Sequence, residues 1–182
     1  MIFFFILLFL VSIAQIAEFY IPPIASLYYT HVYLVPVIVF SGAVMLPFPL
    51  MLAIALYAGL FLDALTVQVI GGRVEISMGS SILIYAVLAG IMHGLRPLFV
   101  RGRWEVHCIL TGICTSAIIL AQYLMISFRR GSIFFNPQVW WQIGGPGLIA
   151  MLISPVAFWM LHWLARATGY RYLPESNRYR YE

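Results

Sequence analysis

A chain of 182 residues that is 63% hydrophobic and only 9% charged has too little polar surface to clothe a water-soluble globule. Its mean hydropathy of +0.98 belongs to a polytopic membrane protein, and too few residues remain outside the apolar runs for a sizeable soluble domain. The formal net charge of +4 carries no lysine, and the arginines cluster beside apolar runs, where they report orientation in a bilayer rather than nucleic-acid binding.

Six apolar segments are expected to form an all-α, polytopic bundle of six transmembrane helices over residues 1–166, followed by an Arg/Tyr-rich cytoplasmic tail over 167–182. The first segment, about 2–21, lacks a positive leader region and a small-x-small cleavage site, so it is expected to stay as a span that ends at Pro22-Pro23. The second, about 30–46, is short and carries Pro36. Pro47-Phe48-Pro49 separates it so tightly from the third, about 49–65, that the two are expected as an antiparallel hairpin. One helix over 30–65 would be roughly 54 Å long at about 1.5 Å per residue, much more than a bilayer needs.

The third segment carries one acid, Asp63, roughly 21 Å along a helix that starts at Pro49. A carboxylate in the hydrocarbon costs on the order of 2.5–3.5 kcal/mol on insertion scales, so Asp63 is expected to face protein or a wet cavity. Arg73, Arg129, Arg130 or a tyrosine hydroxyl are its candidate partners, and an exposed position in a water-filled vestibule is the plain alternative. The following loop has Val67–Ile70 and Arg73–Ile76 about Gly71-Gly72, the pattern of a β-hairpin with a two-residue turn. Because a lone two-stranded ribbon is marginal, an ordinary loop is the expectation.

The fourth segment, about 78–97, contains Gly90-x-x-x-Gly94, and the fifth, about 106–127, has Gly112 with Ser116. Small residues at this spacing let helix backbones approach, and packing within the bundle is their expected use, with a face for another membrane protein as the alternative. Before the sixth segment, about 143–165, the stretch Gly144-Gly145-Pro146-Gly147 is expected to delay or break the helix start. Seven arginines (96, 101, 103, 166, 171, 178 and 180) lie on one side of the predicted topology and three (73, 129 and 130) on the other, which places both termini in the cytoplasm.

Chemistry is sparse. Cys108 and Cys114 fall on different faces of one helix, so neither a disulfide nor a metal pair is expected. His93, His107 and His162 lie near the cytoplasmic ends of their segments without an HExxH frame or paired carboxylates, and interfacial roles are expected. No serine lies in a GxSxG frame, Glu18 is expected at the interface, and no cofactor set can be read.

The proline-bounded ALYAGLFLDAL, a loop, and then MGSSILIYAVLAGIMHGLRP resemble the rod shape-determining protein MreD family. In that family a small-residue helix ending in G-L-x-x-D precedes a helix opened by glycine; Gly59, Leu60 and Asp63 match the first element and Gly79 the second. The closing span with its internal Pro155 and basic end is also similar, while the Gly-Gly loop and the Arg/Tyr tail depart from the family pattern. The resemblance implies a fold similar to the substrate-binding components of energy-coupling-factor transporters. It further implies a non-enzymatic scaffold in the inner membrane that binds a bitopic MreC-like partner. Through it the scaffold would work with MreB, RodA and its transpeptidase in peptidoglycan synthesis. Candidate contact residues are Gly59, Asp63, Arg73, Gly79, Gly90 and Gly94. The alternative is a vitamin-binding transporter subunit with an outward pocket near Asp63.

Overall fold

The computed structural model describes residues 2–65, 69–70, 73–74, 79–97, 104–131 and 136–170. Six α-helices run through them: α1 (Ile2–Tyr20), α2 (Val35–Met45), α3 (Phe48–Leu65), α4 (Ser80–Gly94), α5 (Trp104–Arg130) and α6 (Pro137–Ala167). Between α3 and α4 lies a minimal ribbon, β1 (Val69–Ile70) antiparallel to β2 (Arg73–Val74), with Val69 opposite Val74 and Ile70 opposite Arg73. The Gly71-Gly72 pattern therefore does specify a hairpin, against the expectation of a plain loop; residues 71–72 themselves and the tail beyond Tyr170 lie outside the described residues.

Four helices, α1, α3, α5 and α6, are long and apolar enough to cross a membrane. The helix ends follow the proline chemistry. Pro22-Pro23 terminates α1, Pro36 occupies the first turn of α2, Pro49 the first turn of α3 and Pro137 opens α6, all positions where the missing N–H is not needed. At α6 the glycine-rich expectation is corrected. The helix starts at Pro137 and runs unbroken through Gly144–Gly147, Pro146 and Pro155. Small residues there serve packing: a Cβ on Gly147 would lie 2.7 Å from the Gly112 carbonyl oxygen, and one on Gly112 would lie 2.6 Å from the Gly147 carbonyl oxygen. Gly145 likewise leaves room for the buried Thr30, whose Oγ1 is 2.7 Å from where a Cβ would be.

The second segment also departs from expectation. Residues 30–34 are not helical, and α2 has only 11 residues, about 16 Å of helix. Every residue of α2 is buried, because α1, α3, α4, α5 and α6 all pack against it. An apolar helix this short is a core element enclosed by longer ones rather than a lipid-facing span.

Two aromatic stacks locate the ends of the bundle. Phe3 at the start of α1 stacks on Tyr170 just past α6 (centroids 4.8 Å, planes 12° apart), so both ends of the helical region share one rim. Tyr28 stacks on Trp141 (6.2 Å), which places the α1–α2 connection and the start of α6 at the other, the Trp140 rim.

The first four helices repeat one arrangement. Near the end of α1, Glu18 Oε1 accepts the backbone N–H groups of Leu34 and Val35 at the head of α2. Near the end of α3, Asp63 accepts the N–H of Gly79 at the head of α4, and in both cases the acid and its first donor are 16 residues apart. Residues 45 apart also meet in pairs across the two hairpins: Ser12 Oγ with Tyr57 Oη (2.8 Å) and Phe40 with Tyr85 (6.3 Å). This is the relation of two parallel repeats of a helical hairpin.

Candidate functional site at the α3–α4 hairpin

Three of the six residues singled out from the sequence come together here. A Cβ on Gly59 would fall 2.5 Å from Ile82 Cα and 2.7 Å from Ile82 N, so only glycine lets the α3 and α4 backbones touch at this depth. One turn further along α3, buried Asp63 reaches the head of α4, where Oδ2 accepts the Gly79 N–H at 2.6 Å. Gly79 holds φ of 103°, a left-handed conformation in which glycine is unstrained, and its carbonyl then starts the first turn of α4.

This geometry corrects the expectations for Asp63. Among the described residues its hydrogen-bond partner is the backbone amide of Gly79, and at 2% exposure it does not stand in an open vestibule. Arg73 contributes its backbone to β2 opposite Ile70, and its side chain lies outside the described residues. The role of the Gly59–Asp63–Gly79 set is to lock a hairpin.

Gly90 and Gly94 lie elsewhere. The buried face of α4 is Ser81, Tyr85, Ala89 and Met92. Leu83, Val87, Gly90, Ile91 and Gly94 follow the opposite stripe, with Leu83, Val87 and Ile91 exposed. A Cβ on either glycine would meet nothing within 4 Å, so packing within the bundle, the expected use, is not theirs.

No family model, curated protein or solved structure matches the chain. The residues must therefore carry the functional reading by themselves.

Two cavities lie between α5 and α6. One, of about 670 Å³, opens along Gly112, Ile113, Trp140, Gly144, Leu148 and Met151. The other, of about 350 Å³, is lined by Trp104, His107, Cys108, Pro155, Phe158, Trp159 and His162. Among the described residues no group of three His, Cys, Asp or Glu side chains converges as a metal site, and both cysteines are buried free thiols.

Sequence reasoning missed two polar residues. His107 was expected at the interface; it is buried, with Nε2 sharing a hydrogen bond with Ser41 Oγ at 3.1 Å and its ring 4.9 Å from that of Phe158. Ser41, alone among hydrophobic neighbours on α2, was the available signal. Glu18 was expected only as interfacial, yet it caps α2.

Because Asp63 acts as an acceptor, Asp63→Asn keeps an oxygen for the Gly79 N–H and should change stability by less than about 1 kcal/mol. Asp63→Leu strands that N–H and should cost roughly 1–3 kcal/mol. Thermal unfolding in detergent distinguishes them. Equal losses in both variants would show that the charge matters more than the acceptor.

Proposed function

We propose that this chain is a non-enzymatic membrane scaffold of the rod-shape machinery, presenting the outward stripe of α4 to the transmembrane helix of a bitopic, MreC-like partner. The observation that carries the reading is the open Gly90–Gly94 face, flanked by exposed Leu83, Val87 and Ile91. Small residues with nothing packed on them, on a helix locked from behind by Gly59, Asp63 and Gly79, fit a rigid surface for close helix approach. The match of Gly59, Asp63 and Gly79 to the G-L-x-x-D and glycine-led elements of the MreD family supports the same reading.

In this proposal the chain crosses the bacterial inner membrane six times with both termini in the cytoplasm. Residues 30–46 make the second crossing as an extended stretch followed by the enclosed α2. The shared rim of Phe3 and Tyr170 supports an even number of crossings, and the arginine distribution supports the cytoplasmic side. MreB, RodA and its transpeptidase would be reached through the partner, with membrane lipid as the solvent. The vitamin-binding alternative has less support, since Asp63 is buried and engaged with the head of α4.

Co-purification of the detergent-solubilised chain with an MreC-like protein tests the proposal. The double substitution Gly90→Leu and Gly94→Leu should weaken retention about tenfold or more while leaving thermal unfolding unchanged, because both positions are open. Undiminished retention would move the interface off α4. Absence of association by the native chain, together with tight retention of a vitamin-like molecule, would replace the scaffold with the transporter subunit.

A further inference from the structure

The larger cavity is a groove on the membrane-facing side of the α5–α6 pair. Along α6 it runs from Pro137 to Met151, about 21 Å at 1.5 Å per residue, beginning at the Trp140 rim and ending near the middle of a bundle whose hydrocarbon layer is about 30 Å thick. A recess of about 670 Å³ drawn out over that length is long and shallow, the proportions of one hydrocarbon chain lying along the two helices.

The lining agrees. The groove runs beside the close Gly112–Gly147 contact and opens at Gly144, where a Cβ would meet nothing within 4 Å; its walls, Ile113, Leu148 and Met151, are apolar, with the Ser116 hydroxyl beside them. Its mouth is framed by Trp140 and Trp141, the ring type that settles at headgroup depth, and Tyr28 stacks behind Trp141 to hold it. The exposed end of α5 brings Arg129 to the same rim, where a basic side chain attracts a phosphate. Water does not enter an apolar recess that faces hydrocarbon, so lipid has to fill it.

We infer that the α5–α6 groove is a phospholipid site, seating one acyl chain from Trp140 down to Met151 with the phosphate beside the end of α5. This site lies apart from the α4 stripe and stands whether or not that stripe binds a protein. The bound chain completes the α5–α6 surface, as a side chain at Gly144 would.

The test uses the full chain in nanodiscs of phosphatidylethanolamine and phosphatidylglycerol, doped with phosphatidylglycerol carrying a photoactivatable diazirine midway along one chain. After irradiation, adducts on Ile113, Leu148 and Met151 should exceed those on Leu83, Val87 and Ile91 of α4 at least fivefold. Gly144→Leu fills the groove, and a side chain at that position meets no other atom within 4 Å of its Cβ, so the bundle should keep its unfolding temperature. That variant should cut the groove adducts severalfold and leave the α4 adducts unchanged, and Leu148→Trp supplies a second block should Gly144→Leu fail to fold. Equal labelling of both faces, or labelling indifferent to either variant, would reduce the groove to ordinary lipid contact and overturn the site. Efficient disulfide dimers of Gly144→Cys in the same nanodiscs would assign the groove to a second copy of the chain instead.

Discussion

Gly59→Ala should already destabilise the bundle, and Gly59→Val should destabilise it more, by about 3 kcal/mol or beyond. The added Cβ would sit 2.5 Å from the Cα of Ile82, and a backbone atom inside a helix cannot swing aside as the end of a side chain can. Overpacking typically costs about 1–3 kcal/mol when neighbours can shift; here α3 and α4 must separate as rigid rods. Separation also pulls Asp63 away from Gly79, so the clash and the lost hydrogen bond add. For a chain of this length roughly 2–4 °C of unfolding temperature accompanies each kcal/mol, so a fall of about 10 °C is expected for the valine variant. Gly94→Val on the outward stripe, where nothing lies within 4 Å, is the matched control and should fall within about 0.5 kcal/mol of the native chain. Similar losses at both positions would mean that the α3–α4 contact is looser than the geometry requires.

Glu18→Leu is expected to be about as severe. One carboxylate oxygen, Oε1, accepts both the Leu34 and Val35 amides at the head of α2. Removing it leaves two backbone donors unmatched at the start of a helix whose every residue is enclosed, at roughly 1–3 kcal/mol each. Glu18→Gln retains an oxygen that can take both donors and should recover most of the loss. Folding yield and detergent unfolding measured for the two variants side by side check this. A glutamine variant as damaged as the leucine variant would show that the negative charge, and not the acceptor, holds α2 in place.

The long apolar helices were legible in the sequence because hydropathy and proline positions are local properties. The boundaries of α1 and α3 came within a residue or two, since the clustered prolines of Pro22-Pro23 and Pro47-Phe48-Pro49 break the backbone hydrogen-bond ladder locally. Features that depend on a distant neighbour were not legible. Gly90-x-x-x-Gly94 and Gly112 with Ser116 look alike as strings, yet one faces outward and the other packs on Gly147. Asp63 was recognisable as needing a partner, but the partner is a main-chain amide, which every residue except proline possesses and no pattern can single out. The duplication of the first two hairpins was hidden for a related reason. Along the first helix of each, only Phe3 with Phe48 and Leu7 with Leu52 are identical at the 45-residue offset. What recurs is an acid two residues before a helix end, a weak signal in any single sequence.

The matched acid clasps bear on how such a chain is made. Each spans only 16 residues, a short loop to close, so each can snap shut soon after its hairpin leaves the ribosome and before the next one is synthesised. The enclosing wall around α2 is completed only by α5 and α6, the last segments to emerge. A nascent chain halted after α4 would thus hold two fastened hairpins with their stub of a second helix still uncovered, the kind of unfinished surface that membrane quality-control proteases seize.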